Sequence, residues 1–240
     1  MLFLKQGWQL LVVILSGGFS SCLFAANIQV DPLSIQLSTQ KPIQSLTLSN
    51  FDNTPLNVQI KAFAWSQNQQ GEDIYQPTAD LLISPPIATI AAGGQQLVRM
   101  GLTKKLFPTA VEKAYRIYIQ EIPHKQPAAE KQTLYMALRI GLPIFIEPLK
   151  AAKAELAWSS TRSATNEILL TAKNTGAAHL KLFQLKLQDT QKHHYQVDAL
   201  HYILPGNSYT WTIPQKQKLS FPLHITALTD QGSLAATYIK

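Results

Sequence analysis

The chain has 240 residues, of which 46% are hydrophobic, so it is long and apolar enough to fold into one or two domains and is not expected to be disordered. Lysine and arginine outnumber aspartate and glutamate by 21 to 14, but the sequence contains no dense basic run, and its aromatic residues are not interleaved with basic ones. This pattern argues against a nucleic-acid partner and fits either an acidic protein partner or no specific partner.

The first 26 residues are typical of a cleaved export signal. Lys5 precedes an apolar stretch at residues 10–15, and small residues follow up to Ala26. The apolar stretch is too short to cross a bilayer, so we expect no membrane insertion. The only cysteine, Cys22, lies in this segment, and Phe19 makes a lipid-attachment motif around it a weak alternative. The exported protein is therefore expected to fold without disulfides.

Short runs of alternating apolar and polar residues come next, and proline and glycine separate them. Such runs are typical of β-strands, and no long amphipathic helix pattern interrupts them. We interpret Gly93-Gly94 as a hairpin turn, because it follows no phosphate-binding pattern. The first predicted strands are residues 28–37, 43–49, 56–65, 96–102 and 115–122.

The longest alternating run covers residues 134–146. Its apolar side chains would all point to one face of an extended strand. Two interpretations are open: a central strand packed on its own core, or a strand of which part is offered to another protein. A long apolar edge would also favour self-association of the free protein. The run consists of Leu134, Met136, Leu138, Ile140, Leu142, Ile144 and Ile146.

A domain boundary is predicted near Pro148, which ends this run and precedes an alanine-rich stretch typical of a linker. We therefore predict two all-β sandwich domains, residues 27–148 and 149–240. The strands of the second domain are predicted at residues 156–158, 167–173, 180–187, 194–202, 209–213, 219–227 and 235–239.

The sequence offers no recognisable catalytic or metal site. It has no G-x-S-x-G motif and, after export, no cysteine nucleophile. His193 and His194 would point to opposite faces of a strand, and the other histidines are scattered without an acidic cluster. We therefore expect a protein that is not an enzyme and that uses neither a metal nor another cofactor.

Seven short motifs follow one another in the first domain. They are S-N at residues 49–50 followed by Pro55, F-A-W at 63–65, P-T-A-D-L-L-I-S-P-P at 77–86, Q-L-V-R at 96–99, E-K-A-Y-R at 112–116, E-I-P at 121–123 and L-P-I-F-I-E-P at 142–148. In this order they resemble the motifs of the periplasmic pilus-assembly chaperones of the chaperone–usher (PapD-like) family. Each motif alone is modest, but their order and spacing match over essentially the whole first domain. The second domain matches weakly, through T-D-Q-G at residues 229–232.

The resemblance implies two immunoglobulin-like sandwiches in a boomerang arrangement, and the motifs at residues 77–86 and 142–148 resemble the archaic, spore-coat-type branch. It also implies a function and partners. In this family the chaperone lends a strand to a pilus subunit in the periplasm, until an outer-membrane usher exchanges it for the arm of a neighbouring subunit. A pilus subunit and an usher are thus the expected partners.

By alignment with the family, the donor positions fall on Leu134, Met136, Leu138 and Ile140. Residues 142–146 belong more to the chaperone's own core. The alternate side chains of the donor strand would fill the groove of the subunit, and its backbone would supply hydrogen bonds.

The better-known branch anchors the terminal carboxylate of the subunit with an arginine and a lysine, but the aligned positions here hold Ser34 and Pro143. As a replacement we consider Arg116 and Arg139. If the two strands that carry them form a hairpin, the arginines would lie roughly opposite each other, and a carboxylate would bridge them. The alternative is a pair of solvated arginines that point apart.

The family also has an Arg–Glu–Asp ion network between its domains, and Arg99, Glu112 and Asp230 match its positions. A shielded network would set the angle between the domains, whereas exposed ion pairs would contribute little.

Two other functions compete with that of a chaperone. One is an exported adhesin or structural protein with two sandwiches, in which the long strand is internal. The other is a secreted hydrolase, for which we can place no acid–base pair. Fold alone does not choose among them, and the ordered motifs together with the apolar run favour the chaperone.

Overall fold

The computed structural model describes residues 27–103, 109–123, 137–217 and 219–238. The predicted export signal and the predicted donor residues Leu134 and Met136 lie outside the described residues. The other two predicted donor residues, Leu138 and Ile140, lie within them.

The first half of the chain forms a sandwich of two sheets. Its strands are β1 (Ile28–Asp31), β2 (Ile35–Leu37), β3 (Ile43–Asn50), β4 (Leu56–Gln67), β5 (Asp73–Pro77), β6 (Leu81–Ser84), β7 (Ile87–Ile90), β8 (Gln95–Leu102), β9 (Lys113–Glu121) and β10 (Arg139–Ile146). One sheet has the strand order β1-β3-β8-β6, and the other has the order β2-β10-β9-β4-β5, with β7 paired to β4. Apolar side chains of both sheets, such as Leu46, Val98, Ile117 and Ile144, are buried between them.

Residues 28–37, predicted as one strand, form two strands in different sheets. β1 pairs antiparallel with β3, whereas β2 pairs parallel with β10. Pro32 lies between them and has no backbone N–H, so it cannot continue a ladder of hydrogen bonds.

The Gly93-Gly94 turn is not a hairpin, contrary to the prediction. Gly94 N donates to Ala91 O at 2.9 Å, and the positive φ of Gly93, 65°, favours glycine. The turn joins β7, which pairs with β4, to β8, which pairs with β3. The chain therefore crosses from one sheet to the other at this point.

The second half of the chain forms another sandwich of two sheets. Its strands are β11 (Leu156–Arg162), β12 (Ile168–Asn174), β13 (Leu180–Asp189), β14 (His194–Ile203), β15 (Ser208–Ile213), β16 (Leu223–Thr229) and β17 (Gly232–Tyr238). One sheet has the order β11-β12-β15, and the other has the order β14-β13-β16-β17. β16 alternates between buried and exposed side chains along its whole length. The prediction of two all-β sandwiches is confirmed.

The only helix within the described ranges is a single 3-10 turn, Gln215–Gln217. Accordingly, no helix among these residues has the length and apolar character needed to cross a membrane. The strand predicted at residues 219–227 begins at Leu223 instead, and Leu219 is buried in the loop before it.

Two buried asparagines close equivalent turns in the two sandwiches. Asn174 ends β12, and its Nδ2 donates to Ala178 O at 2.7 Å and to Ile203 O at 3.0 Å. Its Oδ1 accepts a hydrogen bond from Gly176 N at 3.0 Å. Asn50, which ends β3, makes the same kind of contacts in the first sandwich. Each amide thus satisfies backbone groups that water cannot reach.

We expect Asn174→Ala to lower the free energy of unfolding of the second sandwich by roughly 2–4 kcal/mol, because buried carbonyls lose their donor. Urea denaturation followed by intrinsic fluorescence would measure the loss. Asn53→Ala, at an exposed position in the first sandwich, is the control and should change stability very little. A loss for Asn174→Ala no larger than that of the control would contradict this role of the amide.

Candidate functional site

The outer edge of β10 is open over residues 139–143. β10 pairs along its whole length with β9 on one side. On the other side, β2 pairs only with residues 144–146. Residues 139–143 therefore face no described strand there, and their outward backbone groups can pair with a further strand.

The side chains of β10 alternate between two faces. Ile140, Leu142, Ile144 and Ile146 point into the sandwich core, and Ile140, nearest the open end, is only partly buried. Leu138 lies just before the strand and is also partly buried. Leu138 and Ile140 are thus apolar side chains at the end of the core. Their role as donor residues stays a prediction, as does that of the other two residues of the set.

Glu121 holds Leu138 in place. Leu138 N donates to Glu121 Oε2 at 3.0 Å, and Glu121 N donates to Leu138 O at 2.9 Å.

In the register of β9 and β10, Arg139 pairs with Gln120, and Arg116 pairs with Pro143. The prediction that Arg116 and Arg139 lie opposite each other is therefore wrong. The register differs from the predicted one by four residues, an even number, so both arginines still lie on the same face of the sheet.

That face carries aromatic side chains around the two arginines. The guanidinium of Arg139 lies 3.9 Å from the centre of the Tyr118 ring, and that of Arg116 lies 5.2 Å from the centre of the Trp65 ring. Tyr118 in turn meets Tyr75 edge to face at 5.8 Å. Cation–π contacts of this kind hold a guanidinium in position without neutralising its charge.

Two buried nitrogen atoms on this face have no hydrogen-bond partner among the described residues. They are Arg116 Nε and Trp65 Nε1. Arg116 and Arg139 also form no ion pair with a described carboxylate. Buried donors are normally satisfied, and a cationic donor without a partner indicates a position that can bind an anion.

The same face contacts the second sandwich. Trp65 and Phe145 form a buried cluster with Leu204, and Tyr202 lies edge to face with Trp65 at 5.1 Å. Gln67 adds two hydrogen bonds across the contact: its Nε2 donates to Tyr202 O at 2.7 Å, and its Oε1 accepts from Leu204 N at 3.0 Å. Arg116, whose guanidinium lies over the Trp65 ring, is therefore close to the junction of the sandwiches.

His179 joins Glu112 of the first sandwich to Asp230 of the second. His179 Nδ1 lies 2.6 Å from Glu112 Oε1, and His179 Nε2 lies 3.5 Å from Asp230 Oδ2. The backbone N–H of His179 also donates to Glu112 Oε1 at 3.0 Å. The imidazole stacks on Phe145, with 3.5 Å between the ring centres and 6° between the ring planes. This cluster ties the two sandwiches together through one side chain.

Arg99 does not take part in this cluster. It is exposed on β8 and makes no ion pair with any described acid. The predicted Arg99–Glu112–Asp230 network is therefore wrong in its cation, because His179 occupies the place between the two carboxylates. The sequence carries no signal for this role, since a lone histidine is ordinary and Glu112 is 67 residues away.

The two carboxylates control the protonation of His179. Burial alone would lower the pKa of His179, but its hydrogen bonds to Asp230 and Glu112 and their charges outweigh burial and raise that pKa above its ordinary value of 6.5. Burial would raise the pKa of Asp230, yet hydrogen bonds from His179 and from the backbone N–H of Lys181 lower it. When the imidazole is protonated, it donates from Nδ1 to Glu112 and pairs through Nε2 with Asp230.

No group of three or more histidine, cysteine, aspartate or glutamate side chains in the described ranges could hold a metal ion. The site consists of an open strand edge, an apolar core that reaches this edge, and two cationic groups on one face. This combination is suited to an extended protein segment with an anionic group.

Solved structures of chaperone–usher proteins share the fold. One is a chain of the CsuC–CsuE chaperone–tip adhesion subunit pre-assembly complex from archaic chaperone–usher Csu pili of Acinetobacter baumannii, with a TM-score of 0.69 and 22% identity over 88% of this chain and 98% of that one. A chain of the Salmonella enterica SafA pilin–SafB chaperone complex has a TM-score of 0.65 and 18% identity, and the match covers 91% of this chain and 98% of that one. The E. coli chaperone DraB has a TM-score of 0.61 and 18% identity, and the match covers 88% of this chain and 98% of that one. At these identities the likeness is one of fold.

No curated protein matches the chain by sequence, but two family models do. The model of the pili and flagellar-assembly chaperone, PapD N-terminal domain, matches residues 27–152. The model of the pili assembly chaperone PapD, C-terminal domain, matches residues 151–238. Together they cover nearly all of the described residues, in the order of the two sandwiches. The chain therefore belongs to the PapD-like family of pilus-assembly chaperones.

Proposed function

We propose that this protein binds a pilus subunit along the open edge of β10 in the periplasm, lends it a strand, and delivers it to an outer-membrane usher. The observation that carries the proposal is the unpaired edge of residues 139–143, continuous with an apolar run, in a chain of the PapD-like family. An edge of this kind recruits an extended segment through main-chain hydrogen bonds, which tolerate many sequences. The function is that of a binding protein and requires no enzymatic step.

The side chains that would enter the subunit are Leu134, Met136, Leu138 and Ile140. Each aliphatic side chain contributes roughly 1.5–3 kcal/mol when it is fully buried. Four of them therefore offset a large part of the cost of association. Met136 is unbranched and flexible, so it can adapt to grooves of different shape.

Arg116 and Arg139 hold the terminal carboxylate of the subunit in this proposal. They replace the charges that Ser34 and Pro143 cannot supply. The guanidinium of each lies over an aromatic ring, and both lie on one face of the sheet that carries the open edge. A carboxylate that arrives at this edge would form charge-assisted hydrogen bonds with them. The motifs at residues 77–86 and 142–148 are the grounds for placing the chain in the archaic, spore-coat-type branch.

Co-expression in the periplasm with a pilus subunit from the same genome, followed by purification through a tag on this chain, tests the proposal. We expect a stoichiometric complex with the wild type. For Leu138→Asp we expect at least about a tenfold loss of co-purified subunit, because a carboxylate would have to enter an apolar groove.

Leu200→Asp is the matched control for this experiment. Leu200 is 74% exposed on β14 of the second sandwich, so the same substitution there should leave capture unchanged. Strand donation is refuted if the Leu138→Asp variant captures as much subunit as the wild type. It is also refuted if the folded wild type captures none of the candidate subunits.

A further inference from the structure

Gly141 lies on the strand that carries the open edge, beneath the side chains of two residues of β9. It pairs with Tyr118 and faces the same side of the sheet as Arg139 and Pro143. A side-chain carbon at Gly141 would lie 2.9 Å from Tyr118 Cε1 and 3.2 Å from Arg116 Nε. The Tyr118 ring and the Arg116 side chain therefore occupy the space above Gly141.

The space above Gly141 allows the Arg116 side chain to extend over β10. Arg116 pairs with Pro143, so its Cα lies one strand away from the open edge. Its Nε nevertheless lies over β10, because Gly141 has no side chain to block it. There Nε is buried and has no hydrogen-bond partner among the described residues. The side chain thus crosses from its own strand onto the strand that would receive a partner.

We propose that Gly141 is a positioning residue for the carboxylate of the bound segment: because it lacks a side chain, the Nε atom of Arg116 lies over β10, the strand that carries the open edge. The inference rests on the proposed function, in which the pilus subunit supplies the carboxylate. The Trp65 ring, whose centre lies 5.2 Å from the guanidinium carbon, contacts Arg116. This aromatic setting fixes the cation and leaves its charge free for an anion.

Nothing in the backbone explains a glycine at this position. Among the described glycines, those with positive φ are Gly71, Gly93, Gly206 and Gly232, so Gly141 has a backbone conformation that other residues adopt. A glycine inside a strand also weakens the strand, since it has no side chain to pack. Alanine fits the backbone here, and Gly141→Ala therefore tests the space above the strand.

The test compares two forms of one peptide, the C-terminal strand of a pilus subunit from the same genome, made with a free carboxylate and as its amide. Fluorescence anisotropy measures the Kd of each form. For the wild type we expect the free carboxylate to bind about tenfold more tightly than the amide. For Gly141→Ala we expect this ratio to fall towards one, while binding of the amide is kept.

Gly101→Ala is the matched control, because Gly101 is also inside a strand and its added carbon would meet Ile43 Cγ1 at 3.2 Å, far from the arginines in the other sheet. This control should keep the wild-type ratio. Arg116→Lys keeps the charge but has no Nε above Gly141, so its ratio should also fall. The Nε–Hε signal of Arg116 in NMR spectra gives an independent readout, since it should shift with the free carboxylate and not with the amide.

Three outcomes would overturn the positioning role of Gly141, and they differ in what they imply for the proposed function. If Gly141→Ala keeps the wild-type ratio, the inference is overturned and the proposed function stands. If Gly141→Ala weakens both peptide forms equally, Gly141 serves strand pairing, and the positioning role is likewise overturned. If the wild type binds neither form, the proposed function fails and the inference fails with it.

Discussion

Replacing both Arg116 and Arg139 with alanine is expected to weaken capture of a pilus subunit by about a hundredfold or more. A hydrogen bond to a charged group contributes roughly 1.5–3 kcal/mol, and two such bonds together correspond to at least this change in Kd. The Arg116 contribution should be the larger, because its Nε is already buried and unpartnered among the described residues. A carboxylate bound there would gain a donor that water no longer screens. Subunit titration in the purified system measures the loss.

The control for this double variant is Arg99→Ala/Arg162→Ala. It removes the same net charge from exposed positions, one on each sandwich. Its capture should match that of the wild type, apart from a small change in the rate of encounter at low salt. If the Arg116→Ala/Arg139→Ala variant captures the subunit as well as this control does, the carboxylate anchor lies elsewhere. Strand donation would then rest on the Leu138→Asp experiment alone.

Strands can be predicted from the sequence where one face is buried, because burial imposes alternation on the residues. The runs that contain Ile117, Ile144 and Ile225 show this, and each of these side chains is buried. The short strands β5, β6 and β7 escape prediction, because they have only four or five residues each and prolines stand beside them. Too few residues remain in such strands for a period of two to stand out.

The candidate site is less predictable, because contacts between distant residues determine it. Alternation places Arg116 and Arg139 on one face, but it does not fix the register, in which Arg139 pairs with Gln120 and Arg116 pairs with Pro143. No sequence pattern encodes this register. The cation between Glu112 and Asp230 is predicted wrongly for the same reason, since His179 meets Glu112 only in the folded chain.

The contact between the two sandwiches at His179 is expected to weaken as the pH rises. The imidazole faces Glu112 and Asp230 and stacks on Phe145, and the Nζ atom of the nearby Lys181 lies over the Tyr202 ring. Because the pKa of His179 is raised above 6.5, its stabilisation is fully present below about pH 6.5 and is lost as the pH rises through the raised pKa. Asp230 limits the contact at acidic pH. Because the pKa of Asp230 is lowered below its ordinary value of 3.8, the stabilisation from its carboxylate is lost only when the pH falls through this lowered pKa.

Two spin labels on cysteines introduced at Gln95 and Lys186, exposed positions on the two sandwiches, would measure this effect. We expect a narrow distance distribution at about pH 6 and a broader one at about pH 9, because deprotonation removes a charge-assisted contact of roughly 1.5–3 kcal/mol. His179→Gln should be broad at both pH values, and His179→Arg, which keeps a charge, should be narrow at both. A wild-type distribution that does not change with pH would mean that the apolar cluster of Trp65, Phe145 and Leu204 holds the sandwiches by itself. The arginines would then meet an incoming carboxylate in the same geometry at every pH, and subunit capture would not depend on His179.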